Sequence, residues 1–159
     1  MMGTAQRDLF VPTLRATAAT YLPTGGHVFD VGAGDGQTFA LIADVMPAGT
    51  TVSFEAPNLD YFADYRDVLT RLTYLQSGCA LSVGFDDLDA VAEHRAADVP
   101  ADASQDLVMA LHMIYCLADL PAGLSRMARF VRPGGMLFIV FADETTGYMG
   151  CTGGVRGLR

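Results

Sequence analysis

Hydrophobic and polar residues in the first third of the chain form blocks that predict alternating strands and helices. The block His27–Val31 combines three β-forming residues with one acid, which is typical of a buried strand. Closely spaced glycines follow it, at Gly32, Gly34 and Gly36. Apolar residues then recur with helical spacing, at Phe39, Ile42, Ala43 and Met46. This stretch is therefore predicted to form a strand, a glycine-rich turn and a helix.

The next segment predicts a second strand over Thr51–Glu55 and a helix that Pro57 and Asn58 open and that ends near Leu72. The third strand has two candidate segments, residues 72–75 and residues 80–85. The second is favoured because an acidic turn signal bounds it. Shorter predicted elements are a helix over 88–93 and a polar loop over 98–104.

The apolar run Asp106–Leu111 is too short for a helix and predicts a buried parallel strand. Pro121 opens a helix, and a Pro-Gly-Gly turn separates that helix from an apolar strand over Met136–Phe141. A further helix is predicted over Pro12–Leu22. Strands that alternate with helices predict an α/β fold, a doubly wound, mostly parallel sheet of about five strands flanked by helices.

The 159 residues are enough for one domain, which we divide into an N-terminal helical segment (1–26), a core (27–142) and a glycine-rich tail (143–159). The formal charge of −8, with scattered arginines and no lysine, argues against nucleic acid as a partner. The three cysteines lack zinc or redox spacing and indicate a reduced, cytoplasmic protein. The sequence shows no membrane-spanning segment and no signal peptide, so no membrane partner is expected.

A strand, a glycine-rich turn and a helix together point free backbone N–H groups at a ligand above the turn, which predicts a nucleotide-like ligand. The dinucleotide fingerprint requires glycine at the position that Gln37 occupies. Glu55 ends the neighbouring strand, 19 residues after Gly36, where a carboxylate accepts both ribose hydroxyl hydrogens. A solvated Glu55, or a tight turn in another α/β protein, remains the alternative.

The pattern Asp30-x-Gly32-x-Gly34-x-Gly36 resembles motif I of the class I S-adenosylmethionine (SAM) dependent methyltransferases. The segment Asp106–Ala142 is similar to the second half of their core, so the resemblance covers residues 27–142. Within that class, two stretches loosely resemble the histamine N-methyltransferase group, namely Glu55-Ala56-Pro57 and Leu111–Tyr115. The resemblance implies a Rossmann-like fold, SAM as cofactor and methyl transfer to a small molecule, with an amine nitrogen as a candidate acceptor.

The resemblance also implies a set of cofactor-binding residues. Gly32 would line the methionine side of SAM, and the cofactor would also bind the other residues of the motif, Asp30, Ala33, Gly34 and Gly36. Glu55 would hold the ribose, Asp60 and Asp86 would lie near the ribose and adenine, and Leu111 would cover the other face. Asp60 and Asp86 depart from the subfamily pattern, which has neutral polar side chains there.

His112 and Tyr115 follow the fourth strand, where ligands collect in open α/β sheets, and are the candidate catalytic residues. An amine acceptor must arrive deprotonated, and a histidine can accept that proton. Tyr115 offers a ring and a phenol to hold and orient the acceptor. For both residues a purely structural role is the alternative. The sequence has no cluster with metal-ligand spacing, so no metal is expected.

The resemblance implies a sixth helix–strand unit and an antiparallel seventh strand beside the fifth, and the 18 residues after Phe141 are too few for both. We therefore expect a core that lacks its last two strands, with Met136–Phe141 as an exposed apolar edge. This edge implies either a truncated or frameshifted product or a homodimer that covers it. The alternative function is a truncated remnant that binds SAM or a nucleotide without catalysis. A short-chain oxidoreductase is disfavoured because a chain without lysine has no Tyr-x-x-x-Lys pair.

Overall fold

The computed structural model describes residues 4–142 and 149–152. Its helices are α1 (Thr4–Tyr21), α2 (Gln37–Ala40), α3 (Leu59–Arg71), α4 (Leu88–Arg95) and α5 (Leu120–Phe130). Its strands are β1 (His27–Val31), β2 (Thr51–Glu55), β3 (Gln76–Leu81), β4 (Gln105–Leu111), β5 (Val131–Ala142) and β6 (Met149–Thr152). Apart from β6, the predicted glycine-rich tail lies outside the described residues.

The six strands form one sheet with the order β3-β2-β1-β4-β5-β6. The first five strands are parallel, and helices connect them, so the predicted doubly wound, five-stranded parallel sheet is confirmed. The strand order reverses beside β1, because β2 lies on one side of it and β4 on the other. Ligands bind at such a switch point in open α/β sheets, outside the carboxyl ends of the strands.

The sheet separates two hydrophobic cores, and β4 contributes to both because successive side chains point to opposite faces. Leu107 and Met109 lie in the core beneath α1 and α3. Val108 and Ala110 lie in the core beneath α4 and α5. All seven residues of β4 are buried, which explains why its last five residues, Leu107–Leu111, are a continuous apolar run in the sequence.

Helix α1 begins eight residues before the predicted start at Pro12, and Pro12 lies inside it. The reason is an apolar stripe at positions i, i+4 and i+8, which is fully buried and starts before the proline: Phe10, Leu14 and Ala18. Within residues 4–142 and 149–152, no helix combines the length and the hydropathy that crossing a membrane requires.

The prediction of the third strand over residues 80–85 is wrong, because β3 is Gln76–Leu81 and Phe85–Asp87 is a 3₁₀ turn. Strand β3 is the sheet edge on this side, and most of its residues are exposed. It therefore lacks the apolar pattern that identifies a buried strand.

The helix after the glycine-rich turn is also shorter than predicted. Helix α2 spans four residues and is followed by a 3₁₀ turn, Ala43–Val45. The apolar positions that predicted a longer helix are nevertheless buried, namely Phe39, Ile42, Ala43 and Met46. Their spacing therefore identified the buried face of this segment but not its helix length.

The predicted exposed edge of β5 is wrong for the residues that β6 covers. β6 pairs antiparallel with β5, from Ile139 opposite Thr152 to Ala142 opposite Met149. Four residues suffice for this pairing, whereas the sequence argument assumed strands and a helix of ordinary length. β6 therefore corresponds to the expected seventh strand in its position beside β5 and in its antiparallel direction. Because β6 covers these residues of β5, no homodimer is needed to cover them.

The amino ends of β1 and β4 are joined by the buried carboxylate of Asp106. Its Oδ2 accepts a hydrogen bond from the backbone N–H of His27 at 2.8 Å. Arg132, at the start of β5, forms an ion pair with the same carboxylate. Asp106 lies at the amino ends of the strands, whereas ligands at the switch point bind outside the carboxyl ends. Its role in the described structure is therefore to hold three strands together.

We predict that Asp106→Ala lowers the free energy of unfolding by about 1–3 kcal/mol, because it leaves a partly buried N–H and a guanidinium without their acceptor. Asp106→Asn keeps an oxygen for the His27 N–H and is expected to lose less. Urea unfolding of the three proteins measures the difference. An alanine variant as stable as the parent chain would contradict this role.

Candidate active site

The carboxyl ends of β1, β2 and β4 surround a cavity of about 410 Å³, which we call the larger cavity. Its walls come from the glycine-rich turn, the end of β2, the start of α3, the turn at residues 84–87 and the loop at 112–117. A smaller cavity of about 130 Å³ lies on the α1 side of the same turn. The two cavities share Gly32, Gly34 and Tyr61. The site therefore lies at the switch point of the sheet.

All three glycines of the turn have left-handed φ values, 63° at Gly32, 60° at Gly34 and 77° at Gly36, which disfavour residues with a Cβ. Their surroundings differ. A Cβ on Gly32 would lie 2.5 Å from the Cβ of Met113. At Gly36 it would approach Tyr65 and Val68. At Gly34 it would meet no atom within 4 Å, so this backbone is open to a ligand.

Glu55 lies at the floor of the larger cavity and is 1% exposed. Its Oε1 accepts a hydrogen bond from the N–H of Gly32 at 3.2 Å, and its Oε2 is buried without a hydrogen-bond partner. Burial raises the pKa of Glu55 to about 8, the Gly32 N–H opposes this, and the nearby charges of Asp30 and Asp86 raise it further. The free oxygen can accept a hydrogen bond from a ligand.

Asp30 occupies the corresponding place beneath the smaller cavity and is 2% exposed. Its Oδ2 accepts a hydrogen bond from the hydroxyl of Tyr65 at 2.9 Å, while its Oδ1 is buried without a partner. Burial raises the pKa of Asp30 to about 7, and the bond from Tyr65 opposes that change. Each cavity thus holds one buried carboxylate with one oxygen free.

Asp86, which the resemblance assigns to the surroundings of the ribose and adenine, lines the larger cavity. Its Oδ2 accepts a hydrogen bond from the N–H of Ala118 at 2.9 Å, which ties the turn at 84–87 to the end of the 112–117 loop. Arg126 of α5 holds the same turn, because it donates to the carbonyl of Phe85 at 3.2 Å and to Asp89 at 2.6 Å. Two separate walls of the cavity are therefore fixed to each other and to α5.

Asp60 lies outside both cavities and is exposed. Its backbone N–H donates to the side chain of Asn58, which caps α3. The cap sets the phase of the helix, so that Asn58 and Tyr61 line the larger cavity in place of Asp60. The sequence analysis missed these two residues, although an N-cap signal was present at Asn58.

His112 lines the larger cavity and has a left-handed φ of 58°. Its backbone N–H donates to the carbonyl of Val140 at 2.8 Å, and its ring lies edge-on to Phe10 with 6.0 Å between centroids. The Nε2 atom is buried without a partner. Burial lowers the pKa of His112, which favours the neutral ring, the form that can accept a proton.

The remaining predicted residues divide between the cavities and their surroundings. Ala33 and Leu111 line the smaller cavity. Gly36 lines neither cavity and instead closes the turn against α3. Tyr115 lines neither cavity and is 65% exposed, so the structure does not bring it together with His112.

Arg7 is a residue that the sequence analysis missed. It lies on α1, lines the smaller cavity and donates to the side chain of Gln37 at 3.2 Å. Among the described residues that line the two cavities, it alone carries an arginine or lysine charge. The sequence provided no reason to place Arg7 at the site, because the predicted helix started at Pro12, after this residue.

We predict that Gly32→Ala and Gly34→Ala have different costs in the free energy of unfolding. The left-handed backbone alone costs a residue with a Cβ about 1–2 kcal/mol, which we expect for Gly34→Ala. Gly32→Ala adds a clash with Met113 and is expected to lose about 1–3 kcal/mol more. Urea unfolding of both variants tests this. Equal losses would show that Met113 does not confine residue 32.

Two solved structures share this fold. DszA carbon methyltransferase has a TM-score of 0.68 and 15% identity, over 92% of this chain and 38% of its own. A SAM-dependent methyltransferase from Geobacter sulfurreducens, in complex with S-adenosyl-L-homocysteine, has a TM-score of 0.55 and 18% identity, over 82% of this chain and 46% of its own. At these identities the likeness concerns the fold.

Two curated relatives match at the level of sequence. The biotin biosynthesis bifunctional protein BioCD of Bordetella avium (strain 197N) is 30% identical over 136 residues, which are 85% of this chain and 26% of the relative. An O-methyltransferase of Pyrenophora dematioidea is 34% identical over 119 residues, 72% of this chain and 39% of the relative. The chain thus spans well under half the length of these relatives.

The family described as methyltransferase domain matches residues 4–148, most of the chain. The match includes α1, the glycine-rich turn, both buried carboxylates and the loop that carries His112. The chain therefore belongs to the methyltransferase domain family.

Proposed function

We propose that this chain binds S-adenosylmethionine across the two cavities and transfers its methyl group to a small molecule. The observation that carries the proposal is the free, buried Oε2 of Glu55 in the larger cavity. A buried carboxylate oxygen without a donor is costly, and a ligand that brings hydroxyl groups removes that cost. The S-adenosyl-L-homocysteine in the Geobacter sulfurreducens structure supports this cofactor.

The larger cavity suits the adenosine part of the cofactor. Glu55 offers a carboxylate to the ribose hydroxyls, and Gly34 leaves its backbone open where a side chain would obstruct the ligand. Phe85 and Leu117 contribute apolar surface, and Asp86 a polar group, for the adenine.

The smaller cavity suits the methionine part, which carries an ammonium group and a carboxylate. Asp30, with its free Oδ1, offers a negative charge to the ammonium group. Arg7 offers a positive charge to the carboxylate. Since the two cavities meet at Gly32 and Gly34, one elongated ligand can occupy both.

Bound SAM supplies a methyl group activated by the sulfonium beside it, so the protein need not generate a reactive species. What remains for this chain is to align the acceptor with that methyl group and to exclude water. Neutral His112 can accept at Nε2 the proton that the acceptor releases. Tyr115 has no part in this proposal, because it lines neither cavity.

The proposed acceptor is a small amine or hydroxyl compound. Both groups lose a proton when they are methylated, which gives a neutral histidine a function. The net charge of −8 argues against a nucleic-acid acceptor, because phosphate groups would be repelled. Relatives and neighbours whose names specify oxygen or carbon methylation show that related chains differ in the acceptor atom.

Calorimetric titration tests the cofactor site. We predict that SAM and S-adenosylhomocysteine bind and that NAD does not. At pH 9, above the Glu55 pKa of about 8, Glu55→Ala should weaken SAM binding by about 10- to 100-fold, because a hydrogen bond to a charged group contributes about 1.5–3 kcal/mol. Asp60→Ala is the matched control, since that exposed carboxylate lies outside both cavities. Equal effects of the two variants, or no binding by the folded chain, would refute the assignment.

Transfer of a radioactive methyl group from SAM to a panel of amines, phenols and carboxylic acids tests the reaction. On a compound that is methylated, His112→Asn should lower the turnover number by about 100-fold or more while SAM binds comparably. Asparagine is chosen because it tolerates the left-handed backbone at this position. Unchanged turnover would exclude His112 as the proton acceptor. SAM binding without transfer to any compound would contradict the proposed catalysis.

A further inference from the structure

Tyr65 is a completely buried tyrosine that lines neither cavity. Its ring stacks on Phe54, with 4.2 Å between centroids, and lies 5.4 Å from the ring of Phe39. These contacts require an aromatic ring, and a phenylalanine would satisfy them. The hydroxyl group therefore needs a separate explanation, because a hydroxyl is buried at a cost unless it has a partner.

The partner of the Tyr65 hydroxyl is Asp30, to which it donates a hydrogen bond at 2.9 Å. The hydroxyl donates to Oδ2 and leaves Oδ1 without a hydrogen-bond partner. Asp30 lines the smaller cavity, so this free oxygen is the one that a ligand there can use. Tyr65 also borders the far end of the glycine-rich turn, since a Cβ on Gly36 would lie 3.1 Å from its ring. One residue of α3 thus bonds to β1 just before the turn and lies against Gly36 at the far end of the turn.

We propose that Tyr65 is a positioning residue, which fixes the Asp30 carboxylate so that Oδ1 receives a cationic group of the ligand in the smaller cavity. This inference rests on the proposed function, because the cationic group is the ammonium of SAM. It assigns to α3, which belongs to the next strand–helix unit, a part in binding the methionine end. The bond from Tyr65 also favours the ionised form of Asp30, as a donor to a carboxylate does.

The charged and titratable groups around Asp30 come from several elements. Tyr65 approaches from α3, and the charges of Glu55 on β2 and Asp30 on β1 repel each other. Asp35 of the turn and Arg7 of α1 line the same cavity. Because burial raises the pKa of Asp30 to about 7, protons and a cationic ligand compete for it near neutrality. SAM affinity should therefore rise with pH through this range.

The test is Tyr65→Phe, which keeps the ring and removes the donor. In the ligand-free protein, carbon NMR of the Asp30 carboxyl group, assigned with Asp30→Asn, should show its titration midpoint about one pH unit or more higher than in the parent. Near pH 7 this lowers the ionised share from about half to about a tenth, so SAM should bind about fivefold more weakly. The loss should disappear at pH 9.

Adenosine is the second probe, because it fills the larger cavity without bringing an ammonium group. Its affinity should change far less than that of SAM between the parent and Tyr65→Phe, because adenosine leaves the smaller cavity empty. Tyr74→Phe, which removes a phenol at a distance from both cavities, should change neither ligand. If Tyr65→Phe weakens SAM and adenosine equally at all pH values, or leaves the Asp30 midpoint in place, the positioning role is refuted. If the midpoint moves but the parent binds no SAM, the proposed function has failed and the Tyr65–Asp30 coupling stands.

Discussion

The hydrogen bond from the Gly32 N–H to Glu55 is the contact on which the site depends. It joins the turn after β1 to the end of β2, the two neighbours on one side of the switch point. It occupies one carboxylate oxygen and leaves the other buried and free. Gly32 makes this bond from a left-handed backbone, and Met113 closes the space where a side chain would lie. The position of Glu55, the backbone conformation of Gly32 and the burial of the free Glu55 oxygen are therefore linked through this one contact.

The two buried carboxylates carry a cost that the protein alone does not recover. Glu55 and Asp30 have raised pKa values because burial disfavours their ionised forms. A ligand with hydroxyl groups at one end and a positive charge at the other supplies what both lack. Polar groups that are incompletely satisfied in a folded protein are typical of binding sites, where local stability is lower than packing alone would allow.

The sequence predicted those parts of the site that depend on local chemistry. The glycine spacing identified the turn, and the position of Glu55 at a strand end placed it correctly. Residues whose position depends on tertiary packing were missed, as Arg7 shows, since it reaches the cavity because α1 packs against β4 and β5. Asp60 shows the limit within a helix, because a cap two residues earlier decides which side chains face the cavity. The exposed edge strand β3 was misplaced because it has no apolar pattern.

Every described residue that lines the two cavities lies between Arg7 and Leu117. β5 supports the site through the Val140 carbonyl, and α5 through Arg126, yet neither contributes a cavity wall. Ligand contact and structural support are thus separated along the linear chain. A change after Leu117 therefore acts on the cavity through these two supports, which hold His112 and the turn at residues 84–87, and leaves the lining residues themselves unaltered. In evolutionary terms, variation after Leu117 would change how firmly the site is held and not which side chains line it.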